Sequence, residues 1–461
     1  MLSQDQRKVI TDFFNNDSRL LVIKGSAGTG KTHTIQEIYN EYKNIFVVAP
    51  SNKAAAVLRR KKLEPGDKPL HATTIHRAFY KLLPTGKTKV VLHKVLDPQT
   101  HKPKRTDTGE PILVEAIEPI LEYQFDRNAP GAMAFLKIPA CNAICIIDES
   151  SMVGAVAWAD LFTFPGKLII VGDEKQLPPV DIEADNMRKA GNLPQNIAKY
   201  IGYFMHVKPD VRLTVQHRQD NDSTIHQVIE TVLRSGGCPF PFVSDNAICV
   251  EVGSEGLDDQ RFNEIITDKE GDYEIDAVIT WTNVGRDYLN GLIRAYKFRK
   301  DFATEPKWRN IIPRVGDKLY VDAGYRDGQV IVTKGDTLTV VGIDESFLRR
   351  DVLNGIVILN LQRDEEEGEI LENIDVRLQG FSKDLPVHPP KIPSLSVSYG
   401  YAITAHKAQG SQYKTVVVID DLYAGGPVDK PKWIYTAITR AKKQLYVFRL
   451  PGFKRLIESS K

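Results

Sequence analysis

Eight consecutive residues, Gly25-Ser26-Ala27-Gly28-Thr29-Gly30-Lys31-Thr32, restrict the fold more than anything else in the 461-residue chain. They complete a Walker A pattern between an apolar run, Leu20–Lys24, and an amphipathic segment, Thr34–Tyr42. Glycines at these spacings let backbone N–H groups wrap phosphate oxygens at the positive end of a helix. Lys31 then reaches the β- and γ-phosphates of ATP, and the Thr32 hydroxyl is a ligand for Mg²⁺. Such a loop works between a strand and a helix, so this part of the chain is expected to be a parallel α/β sheet.

The surrounding pattern agrees. Ile45–Ala49, Ala143–Ile147 and Leu168–Val171 are apolar runs of the kind that strands buried on both faces require. Lys53–Arg60 reads as a helix after one of them. The same alternation returns at Ala277–Trp281, Thr415–Ile419 and Leu445–Phe448, which implies a second α/β domain. Two stretches break it. Residues 81–122 carry Pro and Gly punctuation and two β-like runs, Thr88–Leu96 and Ile112–Glu115, read as a hairpin with a basic tip. That tip includes Lys102, Lys104 and Arg105. Short strands at Lys318–Asp322, Gln329–Thr333, Thr337–Val341 and Ile356–Leu361 suggest a small all-β insertion.

Composition narrows the class. A hydrophobic fraction of 42% and a charged fraction of 26% are ordinary for a globular chain and exclude collagen-like and disordered ones. No apolar run approaches the roughly 20 residues that a membrane-spanning helix needs. The start of the chain lacks a secretory layout, so a cytoplasmic location, bacterial or in a phage-infected host, is expected. Cys141 and Cys145 on one strand would stand about 13 Å apart, too far for a disulfide. A balance of 61 Lys+Arg against 59 Asp+Glu neither demands nor forbids a nucleic-acid partner, which needs only a local basic face.

Ile146-Ile147-Asp148-Glu149 ends a buried run with paired carboxylates. Asp148 suits a Mg²⁺ ligand and Glu149 a base for the attacking water. Together with Val171-Gly172-Asp173-Glu174-Lys175-Gln176-Leu177-Pro178-Pro179-Val180, this segment resembles motifs II and III of superfamily 1 helicases. The likeness is to the RecD/Dda-like branch, closest to the phage Dda helicases. Further motifs follow in order: Leu2-Ser3-Gln4-Asp5-Gln6 (Q), Ala49-Pro50-Ser51-Asn52-Lys53-Ala54-Ala55 (Ia) and Thr73-Thr74-Ile75-His76 (Ib). Leu213 to Arg218 is similar to motif IV, Tyr401 to Gly410 to motif V, and Tyr435 to Ala441 to motif VI.

The resemblance implies two RecA-like P-loop NTPase domains with an inserted β-hairpin (1B) and an inserted SH3-like β-barrel (2B). The expected division is 1–80 and 139–208 for the first domain, 81–138 for 1B, 209–308 and 388–461 for the second, and 309–387 for 2B. It also implies roles. Lys31, Glu149, Gln176, Arg218 and Arg440 would be catalytic, the two arginines reaching across from the second domain. Gln6 would bind adenine, the loop from Gly25 through Ser26, Ala27, Gly28, Thr29 and Gly30 to Lys31 and Thr32 the phosphates, and Gly410 the γ-phosphate. Thr32 and Asp148 would hold Mg²⁺.

A DNA track is implied over Pro50, Ser51, Asn52, Thr74 and His76 on one domain and Asn283, Thr404, His406 and Lys407 on the other. Such polar groups suit phosphate and sugar contacts, which position a strand without reading its sequence. Trp281 is open between core packing and base stacking. The expected activity is ATP-dependent DNA translocation, 5′→3′ by branch, with duplex unwinding by a monomer. Single-stranded DNA, strand junctions and replication or recombination proteins are the expected partners, with no membrane. An RNA-directed helicase and an ATP-gated recombination mediator remain alternatives. The hairpin has no aromatic residue between Tyr80 and Tyr123, so an aromatic wedge is not expected on it.

Overall fold

A computed structural model gives the fold. It describes residues 2–60, 67–95, 104, 106, 112–215, 224–251, 275–299, 301, 309–310, 312–327, 330–332, 334–346, 355–364, 369–378, 381, 394–420 and 430–449. From the N-terminus the strands are β1 (Leu20–Gly25), β2 (Ile45–Ala49) and β3 (Ala72–Thr74), then a long pair, β4 (Tyr80–Lys94) and β5 (Leu113–Phe125). β6 (Ile144–Ile147), β7 (Lys167–Gly172) and β8 (Val211–Leu213) follow.

Among the described residues the first sheet runs β3-β2-β6-β7-β1-β8, with every pairing parallel. β2 is buried along its whole length, as a strand covered on both faces must be. Ile23, Val47, Ile146 and Ile169 pack on Ile35 and Ile38 of the helix Lys31–Glu41. Phe46, Ile147 and Ile170 pack on Trp158 and Phe164 on the other face. Neighbouring strands β6, β7 and β1 end side by side, which brings Asp148, Asp173 and the Walker A loop to one edge. Ligands in open α/β sheets bind at that carboxyl edge.

The second sheet begins with β9 (Phe242–Val243), β10 (Ala247–Glu251) and β11 (Ala277–Thr280). An antiparallel group interrupts it: β12 (Lys318–Val321), β13 (Tyr325–Asp327), β14 (Val330–Val332), β15 (Thr337–Ile343), β16 (Ile356–Arg363), β17 (Ile370–Arg377) and β18 (Val397–Tyr399). β19 (Ala402–Thr404), β20 (Tyr413–Asp420) and β21 (Ala441–Arg449) complete the order β19-β11-β20-β21-β10-β9. All of its pairings are parallel except that of β9. Ile279, Val416 and Val447 pack on Trp433 and Ile434 of the helix Lys430–Ile438. The antiparallel strands β17-β16-β15-β12-β18 have their own core, including Leu319, Val340, Leu359 and Val397.

Several expected limits shift. β8 pairs with β1, so residues 211–213 belong to the first sheet although the expected second domain begins at 209. β18 pairs with β12, so the antiparallel unit extends beyond 387. β4 and β5 pair from Tyr80↔Phe125 to Lys94↔Leu113, longer than the two β-like runs. Pro84 and Gly86 sit at a break in register there instead of ending a strand. Cys141 lies in a short helical turn before β6, not on the strand with Cys145, and both are free thiols. Among the described residues no helix is long and apolar enough to cross a membrane.

Candidate ATP and nucleic-acid sites

The Walker A loop leaves β1 and turns into the helix Lys31–Glu41 through Gly30, whose φ of 84° is left-handed and open to glycine at little cost. A side chain at Gly25 would put its Cβ 2.4 Å from Thr29 Oγ1, so the loop cannot close with a larger residue there. Lys31 Nζ donates to the carbonyls of Gly25 and Ser26, both at 2.9 Å. Beyond the loop lies a cleft of about 680 Å³, lined by Gly28, Lys31, Thr32, Asp148, Glu149 and Gln176 from the first domain and by Gly410 and Arg440 from the second.

Two polar groups in this cleft leave buried oxygens open to a ligand, and a third, Arg440, is held within its own domain. Glu149 has a φ of 49°, unusual for a non-glycine residue, and its Oε2 is buried with no hydrogen-bond partner. Gln176 turns Nε2 towards Asp173 Oδ2 at 3.4 Å and leaves a buried Oε1 unsatisfied. Buried acceptors without donors are rare, and a water or substrate group is the usual explanation. Arg440 is 3% exposed; its guanidinium donates to the carbonyls of Thr436 and Ser411 and to Thr439 Oγ1. Asp148 and Thr32 line the same space with hard oxygen donors, the set that Mg²⁺ prefers. Arg218 lies outside the described residues.

A smaller pocket of about 290 Å³ adjoins the first, sharing Gly30 and His33, and is lined by Gln6, Thr34 and Leu213 to Val215. Gln6 closes a capping box with Ser3 through its Oε1 at 2.8 Å and donates Nε2 to the Arg212 carbonyl at 2.7 Å. Gln412 and Lys442 also line the larger cleft and were not singled out from sequence. Lys442 stands near the start of β21, two positions after Arg440, and lines the same cleft.

The expected track residues lie at the carboxyl ends of an edge strand and its neighbour in each sheet, β3 and β2 in the first and β19 and β11 in the second. Pro50 and Ser51 follow β2, and Ser51 Oγ accepts from the Ala54 N–H at 3.2 Å at the start of the helix Asn52–Arg60. Thr74 ends β3 and caps the helix Ile75–Phe79, accepting from the Arg77 N–H at 3.1 Å. His76 stacks on Tyr80 with ring centres 4.8 Å apart and meets Tyr123 edge-on at 5.9 Å. Burial holds the His76 pKa below its ordinary value, against the opposing pull of Glu183.

On the second sheet Thr404 ends β19, with His406 and Lys407 in the following turn, and Asn283 follows β11. Asn283 Oδ1 accepts from Arg286 Nη1 at 3.1 Å. Lys407 Nζ pairs with Asp322 Oδ1 at 2.8 Å and sits 4.1 Å from the Tyr320 ring centre, so it is tied to the antiparallel unit. Trp281 packs edge-on against Trp433 at 5.3 Å and joins the second-domain core, which is the packing alternative.

Comparison with known proteins agrees with this architecture. A family model described as an AAA domain matches residues 1–237, and a UvrD-like helicase C-terminal domain matches residues 399–448. An uncharacterized protein of Acanthamoeba polyphaga mimivirus is 22% identical over 95% of the chain and 97% of its own length. The ATP-dependent RecD2 DNA helicase of Deinococcus radiodurans is 22% identical over 96% of the chain, which spans 48% of that protein. The Pif1 helicase from Bacteroides, in complex with ADP-AlF3 and ssDNA, superposes with a TM-score of 0.51 at 15% identity, covering 100% of this chain and 98% of that one. A structure of two coordinating Pif1 helicases on forked dsDNA gives 0.50 at 15% identity, with the same coverage. The chain therefore belongs to the AAA-domain family, with a match to a UvrD-like helicase C-terminal domain near its other end.

Proposed function

We propose that the protein hydrolyses ATP to translocate 5′→3′ along single-stranded DNA and to unwind the duplex ahead of it. The observation that carries this reading is one cleft in which Lys31, Asp148, Glu149 and Gln176 face Gly410 and Arg440 from the other domain. ATP then occupies the interface, its base towards Gln6 and its phosphates on the loop from Gly28 to Thr32.

Glu149 Oε2 takes a proton from the attacking water as the water oxygen bonds to the γ-phosphorus. The bond to the β,γ-bridging oxygen breaks, and ADP leaves with that electron pair. Lys31 and Arg440 stand over the charge that gathers on the phosphoryl oxygens. A cation supplied from across a cleft contributes about 10³–10⁵ in rate in such enzymes. Thr32 and Asp148 would hold Mg²⁺, which would supply neutralisation of the phosphate charge. Arg218 is a second candidate for the cross-domain cation.

Because the two halves of the ATP site belong to different domains, binding draws them together and hydrolysis lets them part. Strand contacts on both domains, at Thr74 and His76 and at Thr404 and His406, convert that cycle into stepping. The direction rests on the likeness of the motifs to the RecD/Dda-like branch. Relatives that carry DNA in their structures, including Bacteroides Pif1 with ssDNA, support DNA over RNA as the track. Hydrolysis assayed with oligothymidylate and with a single-stranded RNA of equal length tests this. DNA is expected to stimulate turnover strongly and RNA weakly; equal or greater stimulation by RNA would favour an RNA-directed enzyme.

A further inference from the structure

The phosphate loop is held from the opposite domain. Ala27, in the middle of the Walker A loop, donates its backbone N–H to Tyr435 Oη at 2.8 Å. That hydroxyl donates its single proton to Asp173 Oδ2 at 2.7 Å. Tyr435 lies on the helix Lys430–Ile438, is 1% exposed, and precedes the turn that presents Arg440. Asp173 follows β7, and its two oxygens also receive Gln176 Nε2 and the Lys175 N–H. One phenol oxygen therefore joins the Walker A loop, the Gln176 segment and the helix leading to Arg440. Burial first, and then the Asp173 charge, raises the Tyr435 pKa well above its ordinary value, so the proton donor is always present.

The seam continues beside it. The Leu177 N–H donates to Thr436 Oγ1 at 2.9 Å, and Gln409 Nε2 donates to the Leu177 carbonyl at 2.9 Å. Ala27 and Leu177 sit in the same apolar cluster as Tyr435, Trp433 and Ala408. A loop rich in glycine has few side chains with which to fix its own path. Lys31 and Thr29 tie the Gly25 and Ser26 carbonyls from within, whereas the partner of the Ala27 N–H arrives with the second domain.

We propose that Tyr435 is a positioning residue for ATP turnover, whose hydroxyl sets the Walker A loop and the Asp173–Gln176 segment as the second domain closes on the first. The proposal rests on the ATPase reading above. DNA held across both domains favours closure, so the hydroxyl counts most when DNA is bound. Displacing a reacting group by about 1 Å can cost ~10²-fold in rate, which sets the scale of the effect.

The test is Tyr435→Phe, which keeps the ring and removes only the hydroxyl. ATP hydrolysis is measured with and without oligothymidylate, as kcat and KM, beside wild type. The DNA-stimulated kcat is expected to fall roughly 10- to 100-fold, the DNA-free rate far less, and the KM for ATP little. A hydroxyl that only supports folding would lower both rates by one common factor, through the fraction of active protein. That outcome, or undiminished stimulation, would overturn the proposal. Wild-type protein without DNA-stimulated hydrolysis would instead remove the reading on which it rests. Should Tyr435→Phe fail to fold, Asp173→Asn weakens the same hydrogen bond from its acceptor side, and the same ratio of rates decides.

Discussion

Glu149 combines a left-handed backbone with a buried carboxylate oxygen that nothing satisfies. The first costs about 1–2 kcal/mol, which packing around the site must offset. Asp148 and Glu149 were legible as paired carboxylates ending an apolar run; the strain at Glu149 was not, because φ depends on where β6 ends against β2 and β7. Glu149→Gln is expected to keep ATP and DNA binding and lose turnover by several orders of magnitude. Lys31→Ala should lose both turnover and tight nucleotide binding. Hydrolysis at near wild-type rate by Glu149→Gln in the presence of DNA would reassign the base. His76 makes a second residue-scale case. Its pKa is lowered, so protonation is opposed in the folded protein, and the stability this contributes is present above the unfolded value of about 6.5 and lost as pH falls below it. With protonation opposed, the imidazole, stacked on Tyr80 and edge-on to Tyr123, is disfavoured as a cationic partner for phosphate. DNA affinity measured from pH 8 to pH 6.5 should therefore change alike in wild type and His76→Ala. A rise in wild type alone would show that the ring charges on DNA.

The hairpin is the element in which sequence and structure differ most. Its existence was legible from two β-like runs around a basic stretch, but its arms were not, because Pro84, Gly86 and Pro119 read as turns. In the folded ribbon Pro84 and Gly86 mark a local break in register, and pairing resumes on both sides. Strands β8 and β18 were missed for a related reason. Each is three residues long, too short for periodicity to register, and each is fixed only by its neighbour, β1 or β12. The ribbon also carries a property that charge counting hid. Leu82, Leu121, Tyr123, Val90 and Ile117 are all exposed, with Leu82 opposite Tyr123 and Val90 opposite Ile117. An apolar face adjoining the His76 end of the track suits a divider that meets bases as well as phosphates. Replacing residues 97–110, most of which lie outside the described residues, with a short Gly-Ser turn should leave DNA-stimulated hydrolysis nearly intact while unwinding falls sharply. Unchanged unwinding would make the tip a bystander, and an equal loss of hydrolysis would make it part of the motor.

At the scale of the whole molecule, two sheets, parallel but for β9, contribute to one cleft, and the expected track residues lie at their carboxyl edges. That arrangement was legible because the motifs are local and ordered along the chain. What they could not give is the seam between the domains, where Tyr435, Thr436 and Gln409 reach Ala27, Asp173 and Leu177. Such contacts join residues more than 200 positions apart, and no local pattern encodes them. The formal net charge is only +2, so the DNA contact proposed here would rest on these edges and not on a basic whole. In the function proposed here, ATP-driven closing and opening of this cleft is turned into movement in one direction. The direct test is strand separation, with and without ATP, on two duplexes identical except that one carries a 5′ and the other a 3′ single-stranded tail. ATP-dependent separation of the 5′-tailed duplex, with the 3′-tailed one spared, is the expected result; preference for the 3′-tailed duplex, or separation of neither, would contradict it.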